Sequence, residues 1–265
     1  MRPFFFGETA EPLLGLHHPP SGPRPRPVGV AILNPFGDEY LRAHRSLRQL
    51  ADRLAGAGFH VLRFDYFGCG DSAGGDREGR LGRWIEDAAV ALEELEALAG
   101  SPRVALVGLR LGASLAVRLA DRRPEVEYLV LWDPVGDGRL YLKELDAAHE
   151  VCLRQNARRA AGQAEAQPPE CLGFPLPEPL RAEIEAVDLS RHAGAPAPHV
   201  LVLTTESRES AALFPGGARP GGSLERERVP GMPVWMRGDA DAMEGTLVPV
   251  EALERITNWL VRQCP

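Results

Sequence analysis

Residues 104–116, VALVGLRLGASLA, constrain this chain more than any other stretch. Residues 104–108 form an apolar run closed by glycine, and from Leu111 the pattern turns helical, with Gly112, Ala113 and Ser114 all small. A buried strand passing through one sharp turn into a helix has the geometry of a nucleophile elbow. Gly108 lies two residues before the apex and Gly112 two after, where a Cβ would hold strand and helix apart. The apex residue, which in such an elbow carries the attacking group, is Arg110.

Strand and helix patterns alternate around this stretch. Strands are expected at 28–33, 59–66, 104–109 and 128–131, and helices at 40–57, 84–98 and 111–121. That rhythm predicts an α/β fold, a mostly parallel sheet with helices on both faces. The apolar pieces 4–6 and 13–16 predict an edge hairpin, followed by a proline-rich lead-in at 19–27. Residues 137–195 break the rhythm, with helical pieces at 140–161 and 180–187 and nothing strand-like. They are expected to be a lid or cap inserted into one domain spanning 1–265. A strand follows at 200–204, a Pro/Gly-rich loop at 215–223, a short last strand at 234–236 and a closing helix at 250–261.

The formal net charge of −7 argues against nucleic acid or an anionic membrane as partner, since both favour basic surfaces. The apolar cluster at 4–6 is too short for a signal peptide, and no apolar run approaches a membrane span. The four cysteines, Cys69, Cys152, Cys171 and Cys264, are scattered, so neither a metal site nor a disulfide framework is expected. These features lead to the expectation of a reduced, cytoplasmic protein. The glycine loop at 68–75 departs from G-x-G-x-x-G, so no cofactor is expected.

Four segments resemble the α/β-hydrolase fold family, near its esterase, thioesterase and serine-aminopeptidase-like members. Residues 62–75, LRFDYFGCGDSAGG, resemble a strand and loop of that family. Residues 34–37 stand where many members have an oxyanion loop, and GLRLG at 108–112 stands in place of G-x-S-x-G. LVPVEALERITNWL at 247–260 resembles the closing helix. The arginine elbow and the N-terminal FFFGETAEPLLGLHHPP also resemble the bacterial exosortase A system-associated hydrolases.

The resemblance implies a serine, an acid and a histidine in that chain order. The serine place holds Arg110, whose guanidinium is always charged and cannot attack an acyl carbon. The histidine place, 237–248, reads RGDADAMEGTLV, and no histidine follows His199. Acid candidates remain at Asp133 and Glu206. Arg110 and Asp133 would project from neighbouring strand ends, and a buried arginine requires a carboxylate, so they are expected to pair. That pair either fills the vacated triad and locks the loops, or leaves the Arg110 fork facing a ligand carboxylate or phosphate. The backbone N–H groups of Leu111 and of Phe36 or Gly37 are the candidate oxyanion donors.

Other candidates read as structural. Ser114 is expected to pack inside the elbow helix, Cys69 to sit inert in its loop, and His44 to lie on the surface of the first long helix. Asp65 and Asp71 are read as loop-ordering acids, and His17 and His18 as exposed. Residues 171–176 are apolar enough to roof a pocket or to meet a protein partner.

Two functions stay open. One is a pseudo-hydrolase that binds an acyl or carboxylate ligand, or a partner protein, without turning it over. The other is an active hydrolase or acyltransferase with a non-standard site built on Arg110 and Asp133.

Overall fold

The computed structural model describes residues 1–22, 24–101, 103–157, 169–205, 213–231, 233–236 and 248–265. The central strands are β3 (Gly29–Leu33), β4 (His60–Phe64), β5 (Val104–Leu109), β6 (Val126–Trp132) and β9 (His199–Thr205). Almost every residue of these runs is buried, as expected of parallel strands covered on both faces. The helices between them are α1 (Asp38–Gly56), α2 (Leu81–Ala99) and α3 (Leu111–Ala120), and α6 (Val250–Gln263) ends the chain. A hairpin of β1 (Arg2–Phe6) and β2 (Leu13–His18) adds antiparallel strands at one edge, and β10 (Ser223–Val229) forms the other edge. The eight-stranded order is β1-β2-β4-β3-β5-β6-β9-β10, with the six strands from β4 to β10 in that order parallel.

Side chains alternate across the sheet. Val30, Ile32, Val107 and Val130 pack with α1 and α6 on one face, while Ala31, Leu33, Leu106 and Leu129 pack with α2 and α3 on the other. The chain visits β3, steps outward to β4, then returns across β3 to β5, so the winding direction reverses between β3 and β5. In open α/β sheets the crevice beyond such a reversal is where ligands bind. The turns that follow β3 and β5 border it.

Between β6 and β9 the chain makes an insertion: α4 (Gly138–Ala157), a two-residue hairpin of β7 (Glu170–Cys171) and β8 (Phe174–Pro175), and α5 (Glu178–Glu185). Its ends are tied together by a bridge between Asp137 and Asp188 and by the Gly138 amide on the Val187 carbonyl at 2.8 Å. The hairpin corrects the expectation of no strand here. It is too short for an alternating pattern to show in sequence.

Two further expectations fail. Among the described residues the last strand is β10, SLERERV, whereas 234–236 form a turn and bend. An edge strand paired on one side keeps charged residues in water, so it lacks the apolar run that marks the central strands. His17 and His18 are buried, at 6% and 1% exposure, because His17 stacks on His60 of β4 and His18 lies against Asp52 of α1 and Arg63 of β4. Among the described residues no helix is long and apolar enough to cross a membrane.

Candidate functional site

The elbow is built as its glycines predict. A Cβ on Gly112 would lie 2.3 Å from the Leu33 carbonyl oxygen, and one on Gly108 would lie 2.4 Å from Ala113 Cα. Neither obstacle is a side chain that could swing away, so only glycine lets β5, α3 and the end of β3 close up. Arg110 at the apex has φ +54°, a left-handed conformation that non-glycine residues seldom adopt. The turn is held by the Arg110 amide on Trp132 O at 3.0 Å and by the Ala113 amide on Arg110 O at 3.0 Å. The strained geometry of a nucleophile turn is thus kept around a residue that is not a nucleophile.

The Arg110 side chain is 1% exposed. Its Nε donates to Glu39 Oε1 at 2.9 Å and its Nη2 to Glu144 Oε2 at 2.8 Å. Glu39 comes from the first turn of α1, and its other oxygen accepts the Tyr141 hydroxyl at 2.9 Å. Trp235 lies flat against the guanidinium, its ring centroid 3.8 Å from Cζ, and Tyr141 flanks it at 5.1 Å. Nη1 is buried without a hydrogen-bond partner among the described residues. Burial pushes the Glu39 carboxyl up, and the Arg110 charge beside it pulls back down. Burial likewise keeps the Tyr141 phenol well above its ordinary range. The result is a closed box in which one cation meets two carboxylates and two rings.

The expected Arg110–Asp133 pair is not formed. Asp133 Oδ1 accepts the Thr205 amide at 2.8 Å, and Oδ2 accepts the Thr205 hydroxyl at 2.6 Å and Trp235 Nε1 at 3.0 Å. Asp133 does stand one strand over, since Leu109 is in register with Trp132. Its φ of +43° accompanies a side chain that bonds to the end of β9 instead. Trp235 separates the two groups, stacking on one and donating to the other. Glu206 lies outside the described residues, as does 237–247 of the segment where a histidine would stand.

Glu39, Tyr141, Glu144 and Trp235 were not singled out as partners of the apex. Acids are favoured in the first turn of a helix for their own electrostatic reasons, so the residue type of Glu39 carries no signal of this role. The i, i+3 spacing of Tyr141 and Glu144 on one helix face was the available signal for the other pair.

Beside this box lies a cavity of about 330 Å³, walled by Phe36, Gly37, Tyr66 and Trp84 and roofed from the insertion by Phe174 and Leu180. Asn34, Tyr40, Asp65 and Cys69 also line it, whereas Arg110, Leu111 and Asp133 do not. Phe36 and Gly37 therefore face this cavity, while Leu111 is buried at the start of α3. Burial, with Asp65 next, pushes the Cys69 thiol up to about 12, so it stays neutral. Ser114 spends its hydroxyl on Val135 O at 2.7 Å inside the core. His44 is exposed and set edge-on against Tyr40.

Residues 37–168 match the model of the serine aminopeptidase S33 family. The human mitochondrial palmitoyl-protein thioesterase ABHD10 is 41% identical over 68 residues, which span 26% of this chain and 21% of that protein. The structure of Est1E from Butyrivibrio proteoclasticus, solved with ferulic acid bound, superposes with a TM-score of 0.64 at 13% identity over 98% of each chain. Mouse α/β hydrolase domain-containing protein 10 superposes with a TM-score of 0.58 at 17% identity, covering 99% of this chain and all of that one. A sheet wound this way, an elbow that admits only glycine at two places and a family match over 37–168 lead to one assignment: the chain has the α/β-hydrolase fold.

Proposed function

We propose that this protein is a catalytically silent α/β hydrolase that holds a small ligand with an acyl or aromatic body in the cavity beside the elbow. One observation carries the reading: at the nucleophile's place stands a buried guanidinium committed to Glu39, Glu144 and Trp235. Serine catalysis needs a hydroxyl and an imidazole to take its proton. The apex offers no hydroxyl, and no histidine follows His199.

The cavity falls in the size range of small-molecule sites and is largely apolar, with rings on several sides. Acyl or aromatic chemistry is in keeping with the thioesterase name of the human relative and the ferulic acid in Est1E. Phe174 and Leu180 over the cavity support the reading of residues 137–195 as a lid. An active site built on Arg110 and Asp133 gains no support, because both side chains are spent on the protein's own groups.

The test is direct. A fluorophosphonate probe should leave the protein unlabelled, and p-nitrophenyl acetate and butyrate should hydrolyse at the buffer rate. Turnover above background that disappears in Arg110→Ala would overturn the silent reading.

A further inference from the structure

The cavity wall has a one-sided charge. Among the described residues its acidic side chains are Asp65 and Asp76, and no lysine, arginine or histidine lines it. Asp65 follows β4 and is half-buried, and its oxygens take the Tyr40 hydroxyl at 3.0 Å and the Asp71 amide at 3.2 Å. Both donors are formally neutral, so neither cancels the carboxylate charge. Among the described residues no arginine or lysine forms an ion pair with Asp65. Burial pushes its carboxyl up, against those two hydrogen bonds and the weaker pull of the Arg63 charge on β4.

The rings complete the pattern. Phe36 and Trp84 lie 6.1 Å apart, Tyr66 stacks on Trp84 at 5.3 Å, and Phe174 comes in from the insertion. The Trp84 indole N–H already donates to Phe67 O, and the Tyr66 hydroxyl to Asn34 O. These residues therefore offer a ligand ring surface rather than free polar tips. Ring faces attract cations, and a half-buried carboxylate attracts them further in a medium less polar than water. The same wall repels an anion and strips its water without compensation.

We infer that this cavity binds an organic ammonium ion, its charged head beside Asp65 and its apolar body against the rings of Phe36, Trp84 and Phe174. The inference rests on the reading of the cavity as a ligand site, and it replaces the expected carboxylate ligand with one of opposite charge.

Titration calorimetry on the full chain with phenethylamine, 2-phenylethanol and phenylacetate tests this, because the three share a body and differ in head charge. The ammonium should bind about tenfold tighter than the alcohol, and the acid weakest. Asp65→Asn should bring the ammonium to within about twofold of the alcohol and leave the alcohol unchanged. Should Asp65→Asn fail to fold, the wild-type ratio and Asp76→Asn at the exposed mouth carry the test, the latter lowering only the ammonium affinity. Alcohol and acid binding as tightly as the ammonium overturns the charge inference and leaves the ligand site standing. Binding of none of the three overturns both.

Discussion

Arg110 and Glu39 meet at 2.9 Å, one at the apex between β5 and α3, the other in the first turn of α1. Both are almost wholly buried, so each is the other's main substitute for water. Removing one member of such a pair strands the other, whereas replacing both by apolar groups is far less costly. Glu39→Ala should therefore lower unfolding stability by about 3 kcal/mol in urea. The double variant Glu39→Leu with Arg110→Met should cost clearly less than the two single changes added together. Additive losses would show that the pair is not coupled.

Restoring the missing hydroxyl should not restore chemistry. Arg110→Ser places a serine at a backbone turn that already has the required φ, so geometry is no obstacle. The hydroxyl would still lack a histidine to take its proton, and it would leave Glu39 buried without its cation. Arg110→Ser should stay unlabelled by fluorophosphonate and should be less stable than wild type by about 3 kcal/mol. Rapid labelling of that variant would mean that another base reaches the apex.

The fold was legible where burial is two-sided. β5 runs over the very residues expected, 104–109, because a central parallel strand is apolar throughout and ends at the glycine elbow. β10 was missed for the opposite reason: Arg226 and Arg228 alternate with Glu225 and Glu227 on a strand that needs no apolar run. The partner of Arg110 was read wrongly because only neighbouring strand ends can be reasoned out from a βαβ rhythm. Glu39 and Glu144 arrive on helices, and their meeting depends on how α1 enters and how the insertion folds back. No local spacing encodes that, and Asp133, though adjacent, is drawn to Thr205.

Acid should loosen the N-terminal hairpin. His17 Nε2 lies 3.2 Å from His60 Nδ1 with the rings stacked, and burial followed by His60 brings His17 down to about 4. In the unfolded chain a histidine titrates near 6.5. Between about 6.5 and 4 the unfolded state holds a proton that the folded state refuses, so stability falls as pH falls through that window. Above it the contribution is constant. The lowered His18 and His60 act in the same direction. The thermal midpoint should drop over this range by the equivalent of on the order of 2 kcal/mol, and His17→Phe should flatten the slope. An unchanged slope in that variant would place the acid sensitivity elsewhere.

Besides the Glu144 and Tyr141 contacts at the apex, the insertion is fastened to the body by Glu183, whose removal should be felt in the cavity. Glu183 of α5 accepts the backbone amides of Leu81 and Gly82, the first two residues of α2. A helix N-terminus has amides without partners inside the helix and a partial positive charge, so a carboxylate there both caps and attracts. Leu180, one turn earlier on α5, roofs the cavity, which links the latch to the ligand site. Glu183→Ala should cost about 1 kcal/mol, in line with the loss of other helix caps. Glu183→Gln, which keeps an acceptor and loses the charge, should cost less. Exchange of the Leu81 and Gly82 amides should quicken in both variants, most in Glu183→Ala, because the insertion then lifts without first breaking an ionic cap. Phenethylamine should leave the Glu183→Ala protein faster than wild type by several-fold. If amide exchange quickens while ligand release does not, the cap holds α2 alone and the insertion opens by another route.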